Sequence, residues 1–130
     1  MTPPDGTRGS ILLVEDDPAT ANLERRSLIR AGRRVETAES VSEALEAMRK
    51  ERFAAILLDY RLPDGDPWPI LEAAQRALPP IPVILITGMA DERIAAEARL
   101  RGGAGFLIKT LGFWDRLAGE IDRVLVTPPG

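Results

Sequence analysis

Apolar runs and stretches of helical period alternate five times along this chain, the pattern of a parallel sheet covered by helices on both faces. The runs predict strands over Ile11–Val14, Arg34–Thr37, Ala55–Leu58, Val83–Ile86 and Gly105–Ile108. Between them, apolar positions recur at helical spacing: Leu23, Ile29 and their neighbours in the first helix, and Val41, Ala44, Leu45 and Met48 at i, i+3, i+4 and i+7 in the second. Helix starts are marked as well. Asp17 before Pro18 reads as an N-cap with Pro at the first helical position, and Ser40 with Glu43 as a capping box. Gly32, Gly65 and Gly102–Gly103 punctuate helix ends and turns, while LPPIP at 78–82 is a loop because consecutive prolines cannot continue a helix. A last helix is expected from Phe113 to Leu125. The ends, residues 1–9 and 127–130, are rich in Pro, Gly and polar residues and read as disordered tails or linker stubs around one domain of residues 10–126.

Composition narrows the chemistry. A chain of 130 residues buries enough surface for one core without staples. It has no cysteine and no histidine, which removes disulfides, thiolate chemistry and imidazole acid–base catalysis, and leaves carboxylates, hydroxyls and lysine. No apolar run approaches the roughly 20 residues of a membrane helix, and the first ten residues lack the layout of a secretory signal, so a soluble, cytoplasmic protein is expected. A net charge of −3 argues against nonspecific nucleic-acid binding. The cluster Arg25, Arg26, Arg30, Arg33 and Arg34 is the exception, and the helical spacing of Arg26 and Arg30 reads as a solvated face. Trp68, between Pro67 and Pro69, and Trp114 read as partly buried packing residues.

In open α/β sheets, ligands bind beyond the carboxyl ends of the strands. Strand one ends in Glu15 and Asp16, strand three in Asp59, strand four in Thr87 and strand five in Lys109. If these strands lie side by side, three acids, a hydroxyl and an ammonium converge on one crevice. Three carboxylates so close repel one another unless a cation joins them, and an oxygen-only donor set points to Mg²⁺. Three carboxylates, one divalent cation and Lys109 sum to zero charge. The apolar run before Asp59 holds it at a rigid strand tip, and the LPDG turn leads the chain away so that its carboxylate stays reachable. Singly, each residue has a plainer reading: Glu15 and Asp16 favour the positive end of helix one, PDG is a common turn, Lys109 is solvated and Phe106 is core.

ILLVEDDP, LLDYRLPDGD, ILITG and GAGFLIK, in this order and spacing, resemble the receiver domain of two-component response regulators over about Ser10 to Leu125. The resemblance implies a flavodoxin-like (βα)5 three-layer sandwich with a five-stranded parallel sheet in the order 2-1-3-4-5. It implies that Asp59 is the phosphoacceptor, that Glu15, Asp16, Asp59 and the backbone carbonyl of Arg61 hold Mg²⁺, and that Asp16 is a direct ligand. Thr87, with Gly88 after it, and Lys109 would bind phosphoryl oxygens, and Phe106 matches the switch aromatic. The implied partners are a histidine kinase or phosphotransfer protein, and an output protein or domain reached by protein contact through the face of helix four, strand five and helix five, which also suits a phosphorylation-dependent homodimer. No DNA-binding domain fits after Leu125, so output by protein contact is expected unless this chain is cut from a longer regulator or hybrid kinase, and direct contact with nucleic acid or membrane is not expected. Such a domain signals; it is not an enzyme beyond assisting its own phosphorylation and dephosphorylation.

Some positions depart from the family pattern. Phe106 lacks a phenolic hydroxyl, and Thr110 stands where the family has proline, so the KTLGF loop is expected to take its own path. Arg61 and Met89 flank the route of a hydrolytic water without a carboxylate or amide to orient it, which predicts slow loss of the phosphoryl group. Three other readings compete. A small Mg²⁺-dependent aspartyl phosphatase would want a second Asp where Arg61 stands. A flavin module would want a hydroxyl- and glycine-rich turn where EDDP stands. A phosphorylation-independent interaction domain would keep the fold and only part of the switch.

Overall fold

The computed structural model describes residues 9–125. Its elements are β1 (Ser10–Val14), α1 (Pro18–Arg30), β2 (Arg34–Ala38), α2 (Val41–Lys50), β3 (Ala55–Asp59), α3 (Trp68–Arg76), β4 (Val83–Thr87), α4 (Glu92–Leu100), β5 (Gly105–Ile108) and α5 (Leu117–Leu125). The strands form one parallel sheet in the order 2-1-3-4-5, as the resemblance implied. The expected tails lie outside the described residues, apart from Gly9.

Successive side chains of a strand point to opposite faces, and the three inner strands fill both. Leu12, Val14, Ile56, Leu58 and Leu85 pack with Ala44 of α2, Ile70, Leu71 and Ala74 of α3, and Ile94 and Ala98 of α4. Ile11, Leu13, Leu57, Ile84 and Ile86 pack with Leu28 of α1, Phe113, and Leu117 and Ile121 of α5. The product is three layers, which is why β1, β3 and β4 read as nearly unbroken apolar runs. Each fully buried Leu or Ile contributes about 1.5–3 kcal/mol.

Both expected caps form. The Asp17 carboxylate accepts from the Thr20 amide at 2.9 Å, and the Ser40 hydroxyl accepts from the Glu43 amide at 3.1 Å. The returning bond of the capping box is displaced by one residue: Glu43 Oε1 accepts from the Glu39 amide at 2.9 Å. At the other end of α1, Gly32 takes a left-handed φ of 87° while the Arg33 amide bonds back to the Leu28 carbonyl, so the helix stops there. Gly102 ends α4 similarly at φ 93°, and a Cβ there would lie 1.6 Å from the Gln75 amide nitrogen.

Three expectations need correction. Leu23 and Ile29 do not form the inward face of α1; they are 38% and 47% exposed, and the buried positions are Glu24, Ser27 and Leu28. The cap at Asp17 sets the phase of the helix, and Ala21, Glu24 and Leu28 follow it at helical spacing toward the sheet. Second, the last helix does not begin at Phe113. Residues Phe113–Arg116 form a tighter 3-10 turn, with Phe113 N–H donating to the Thr110 carbonyl and Asp115 N–H to that of Gly112, and α5 starts at Leu117. Third, β3 and β4 run one residue further than the apolar pattern indicates, so Asp59 and Thr87 are strand residues rather than the first residues beyond. The Tyr60 amide still bonds to the Ile86 carbonyl at 2.9 Å, which holds Asp59 in extended backbone.

Arg33, in the expected arginine cluster, is buried and donates to Asp122 of α5 at 2.7 Å, while Arg30 lies 3.8 Å from Asp115. Both tie the α1 end of the molecule to its last turns. Trp68 and Trp114 are partly buried, edge-on to Tyr60 and Phe113 at centroid distances of 5.9 and 5.5 Å.

Candidate functional site

Register brings the strand ends together. Val14 pairs with Leu58, so the next residues, Glu15 and Asp59, emerge side by side; Thr87 pairs with Ile108, so Lys109 emerges beside Thr87. The Lys109 amide donates to the Thr87 carbonyl at 2.8 Å. Glu15, Asp16, Asp59, Arg61, Thr87, Gly88 and Lys109 line one cleft of about 410 Å³. Asp17 and Met89, not among the expected site residues, line it too. Phe106 lies outside the lining, half-buried against the α2–α3–α4 side of the sheet.

The carboxylate oxygens of Glu15, Asp16 and Asp59 lie within 4.8 Å of one another. Glu15 and Asp59 are 3% and 6% exposed, whereas Asp16 is open to solvent. Lys109 Nζ donates to Glu15 Oε1 at 2.8 Å and lies 3.2 Å from Asp59 Oδ1. The second Glu15 oxygen accepts from the Asp17 amide at 3.1 Å. Two faces of the cluster are therefore occupied by donors, and the exposed side, toward Asp16, is not. A hard divalent cation suits these oxygen donors, since one Lys leaves two of three negative charges unbalanced.

Burial pushes the Asp59 carboxyl up to about 6, with the neighbouring Glu15 charge adding to the effect and Lys109 opposing it. Burial opposes the charge of Lys109 as well, but its bond to Glu15 and the Asp59 charge outweigh this and raise its pKa. Thr87, 1% exposed, accepts from the Met89 amide at 3.2 Å through Oγ1, which leaves its own hydroxyl hydrogen available. Arg61 reaches across the mouth of the cleft and donates to Met89 Sδ at 2.9 Å. The two positions expected to flank a hydrolytic water thus touch each other.

Two contributors escape a reading of the sequence. Asp64, in the PDG turn after β3, accepts from the amides of Val41 and Ser42 at 2.8 and 3.1 Å, pinning that turn to the start of α2. Its partners are more than twenty residues away, so no local spacing announces them. The other is Glu24, buried in α1. After β5, the Lys109–Thr110 peptide is trans; the Thr110 amide donates to the Ile108 carbonyl at 2.8 Å and its hydroxyl accepts from Arg116 at 2.5 Å. A proline has no hydrogen for the first of these bonds.

Residues 11–118 match the family model described as "Response regulator receiver domain". Among curated relatives, the chain is 32% identical over 115 residues to the transcriptional regulatory protein ZraR of Escherichia coli (strain K12), covering 88% of this chain and 26% of that one. It is 28% identical over 111 residues to the DNA-binding transcriptional regulator NtrC of Proteus hauseri, covering 85% of this chain and 24% of that one. It therefore spans about a quarter of the length of these relatives. Among solved structures, the chemotaxis response regulator CheY4 of Vibrio cholerae superposes with a TM-score of 0.82 at 26% identity, covering 92% of this chain and 100% of that one. The non-phosphorylated HemR receiver domain of Leptospira biflexa does so at 0.81 and 28%, covering 94% and 98%.

Proposed function

Since the chain belongs to the response regulator receiver family, a family of signalling domains, we propose that Asp59 accepts a phosphoryl group from the phosphohistidine of a histidine kinase or phosphotransfer protein. An Asp59 oxygen attacks phosphorus, the P–N bond to the histidine breaks, and the imidazole leaves with its electron pair. Positioning dominates such a transfer, and the strand tip supplies it. Lys109 neutralises charge on one phosphoryl oxygen, the Thr87 hydroxyl donates to another, and the Gly88 amide is at hand. Glu15, Asp16, Asp59 and the Arg61 carbonyl would hold Mg²⁺, which, when bound, offsets the negative charge that gathers on the transferring group.

The observation that carries this reading is the contact of Lys109 Nζ with both Glu15 and Asp59, at 2.8 and 3.2 Å. It joins residues from the ends of three strands into one cluster whose remaining negative charge a divalent cation would balance. The domain comprises residues 10–126. Phosphorylation shifts a two-state equilibrium in which Phe106 takes part, and the α4–β5–α5 face is read by an output protein or domain, or by a second copy of the chain. A cytoplasmic location fits, and among the described residues no helix is long and apolar enough to cross a membrane.

The test is incubation with acetyl phosphate, with and without Mg²⁺, followed by intact-protein mass measurement. The parent is expected to gain one phosphoryl group only with Mg²⁺, and Asp59→Asn none. Equal gain by Asp59→Asn would remove Asp59 as the acceptor.

A further inference from the structure

Glu24 has no part in the transfer described above. It lies on the inward face of α1 between Ala21 and Leu28 and is 1% exposed, and neither carboxylate oxygen has a hydrogen-bond partner among the described residues. A carboxylate that has lost its water and gained no donor is strongly disfavoured, so the neutral acid is the form that fits there. The surrounding charges reinforce this. The charges of Glu15 at the end of β1, Asp59 of β3 and Asp17 at the start of α1 work against its ionisation, and that of Lys109, beyond β5, favours it. Other charges on elements packed against α1 have partners or lie exposed: Arg30 with Asp115, Arg33 with Asp122, Arg123 with Glu120, Arg116 with Thr110, and Arg34 and Glu36 on the surface of β2. Burial first, and Glu15 after it, push the Glu24 carboxyl up to about 8. Glu24 makes no hydrogen bond or ion pair with Glu15, Asp16 or Asp59, so its link to them is through space alone.

We propose that Glu24 is the proton-linked counterpart of the cation site: it keeps its proton while the cleft holds bare carboxylates and gives it up when a divalent cation enters. The inference rests on the cation reading under Proposed function. In the step, the Glu24 O–H bond breaks, the proton passes to solvent and its bonding pair stays on the carboxylate. The cause is Coulombic, because two positive charges replace a local excess of negative charge, and a poorly polarisable interior transmits that change further than water does. The consequence is a cation affinity that rises with pH around and above neutrality. Asp59, at about 6, has largely finished titrating there, so the effect is distinguishable from its own. One full proton released per ion corresponds to about a tenfold gain in affinity per pH unit.

Calorimetric titration of the full chain with Mg²⁺ at pH 8, in two buffers of different ionisation enthalpy, counts the protons released. The parent is expected to release up to about half a proton per ion, the share Glu24 still holds at that pH, and Glu24→Gln, a neutral isostere, close to none. Carboxyl ¹³C shifts give a second readout: in the metal-free parent Glu24 titrates far above an ordinary glutamate, and its midpoint falls on adding Mg²⁺. Equal proton release by parent and variant overturns the proposal, as does a metal-free midpoint near the ordinary 4.5. Mg²⁺ binding without proton release overturns this proposal alone, while a parent that binds no Mg²⁺ overturns the cation reading with it. Should Glu24→Gln not fold, Glu24→Leu replaces it and the parent's ¹³C midpoint still decides.

Discussion

At the scale of single residues, the two raised carboxyls couple stability to pH in the same direction. A carboxyl whose pKa is higher in the folded than in the unfolded protein stabilises the fold fully below its unfolded pKa, and that contribution is lost as pH rises through the folded value. For Glu24 the window runs from about 4.5 to about 8. Metal-free protein is therefore expected to lose stability across that window at up to about 1.4 kcal/mol per pH unit from this residue. Glu24→Gln should flatten the upper part of the slope, between about 6 and 8, where Asp59 no longer contributes. Urea midpoints measured every half pH unit check this, and a variant curve parallel to the parent's would refute it. A second residue-scale prediction concerns Arg61 and Met89, which meet across the cleft mouth and offer no carboxylate or amide to an incoming water. Once formed, the Asp59 phosphate should persist for minutes or longer at neutral pH. A lifetime of seconds, followed by mass or by fluorescence after removal of acetyl phosphate, would contradict it.

At the scale of elements, the loop after β3 is held from outside itself. Asp64 takes two of the orphan amides at the start of α2, those of Val41 and Ser42, and those two bonds draw its pKa below the usual carboxylate range. Asp64→Ala is expected to lower the melting temperature by about 2–5 °C. It should also raise amide exchange at Val41 and Ser42 and loosen the turn that follows Asp59. Exchange confined to the turn, with α2 unchanged, would show that the helix does not depend on this bond. The loop after β5 is the counterpart on the other side of the site. There Thr110 supplies an amide and a hydroxyl that proline lacks, and Gly112, at φ 75°, admits the 3-10 turn that precedes α5.

At the scale of the whole molecule, the sheet is covered on both faces and the cleft proposed to take the phosphoryl group lies at the carboxyl ends of its strands. The proposed switch would have to connect Thr87, in the cleft, with Phe106, which packs against the α2–α3–α4 side of the core. With Mg²⁺ and beryllofluoride, a mimic of the phosphoryl group, amide shift changes are expected to extend from Asp59 through β4 and α4 to Phe106. Changes limited to the residues lining the cleft would favour a phosphorylation-independent scaffold. Without a phenolic hydroxyl Phe106 gains burial but no hydrogen bond on turning inward, so the free-energy gap between states should be smaller than for a tyrosine by about 0.5–1.5 kcal/mol.

Fold class and the gathering of polar residues at the strand ends were legible in the linear pattern, because a strand buried on both faces must be apolar along its whole length and a site at its tip must interrupt that run with polar residues; the strand order followed only from the family resemblance. Asp59 and Lys109 stand out in the sequence for that reason. The facing of α1 was not legible: Leu23 and Ile29 are as apolar as Leu28, and only the packing of the capped helix against β2, α5 and the turn before α5 selects one stripe and buries Glu24 with it. The grip of Asp64 on α2, the meeting of Arg61 with Met89 and the latch of Arg33 on Asp122 were likewise hidden, since each joins segments distant in the chain. Periodicity and local propensity act between near neighbours along the backbone. Charge, desolvation and hydrogen bonding between remote segments acquire values only when packing fixes the distances between them.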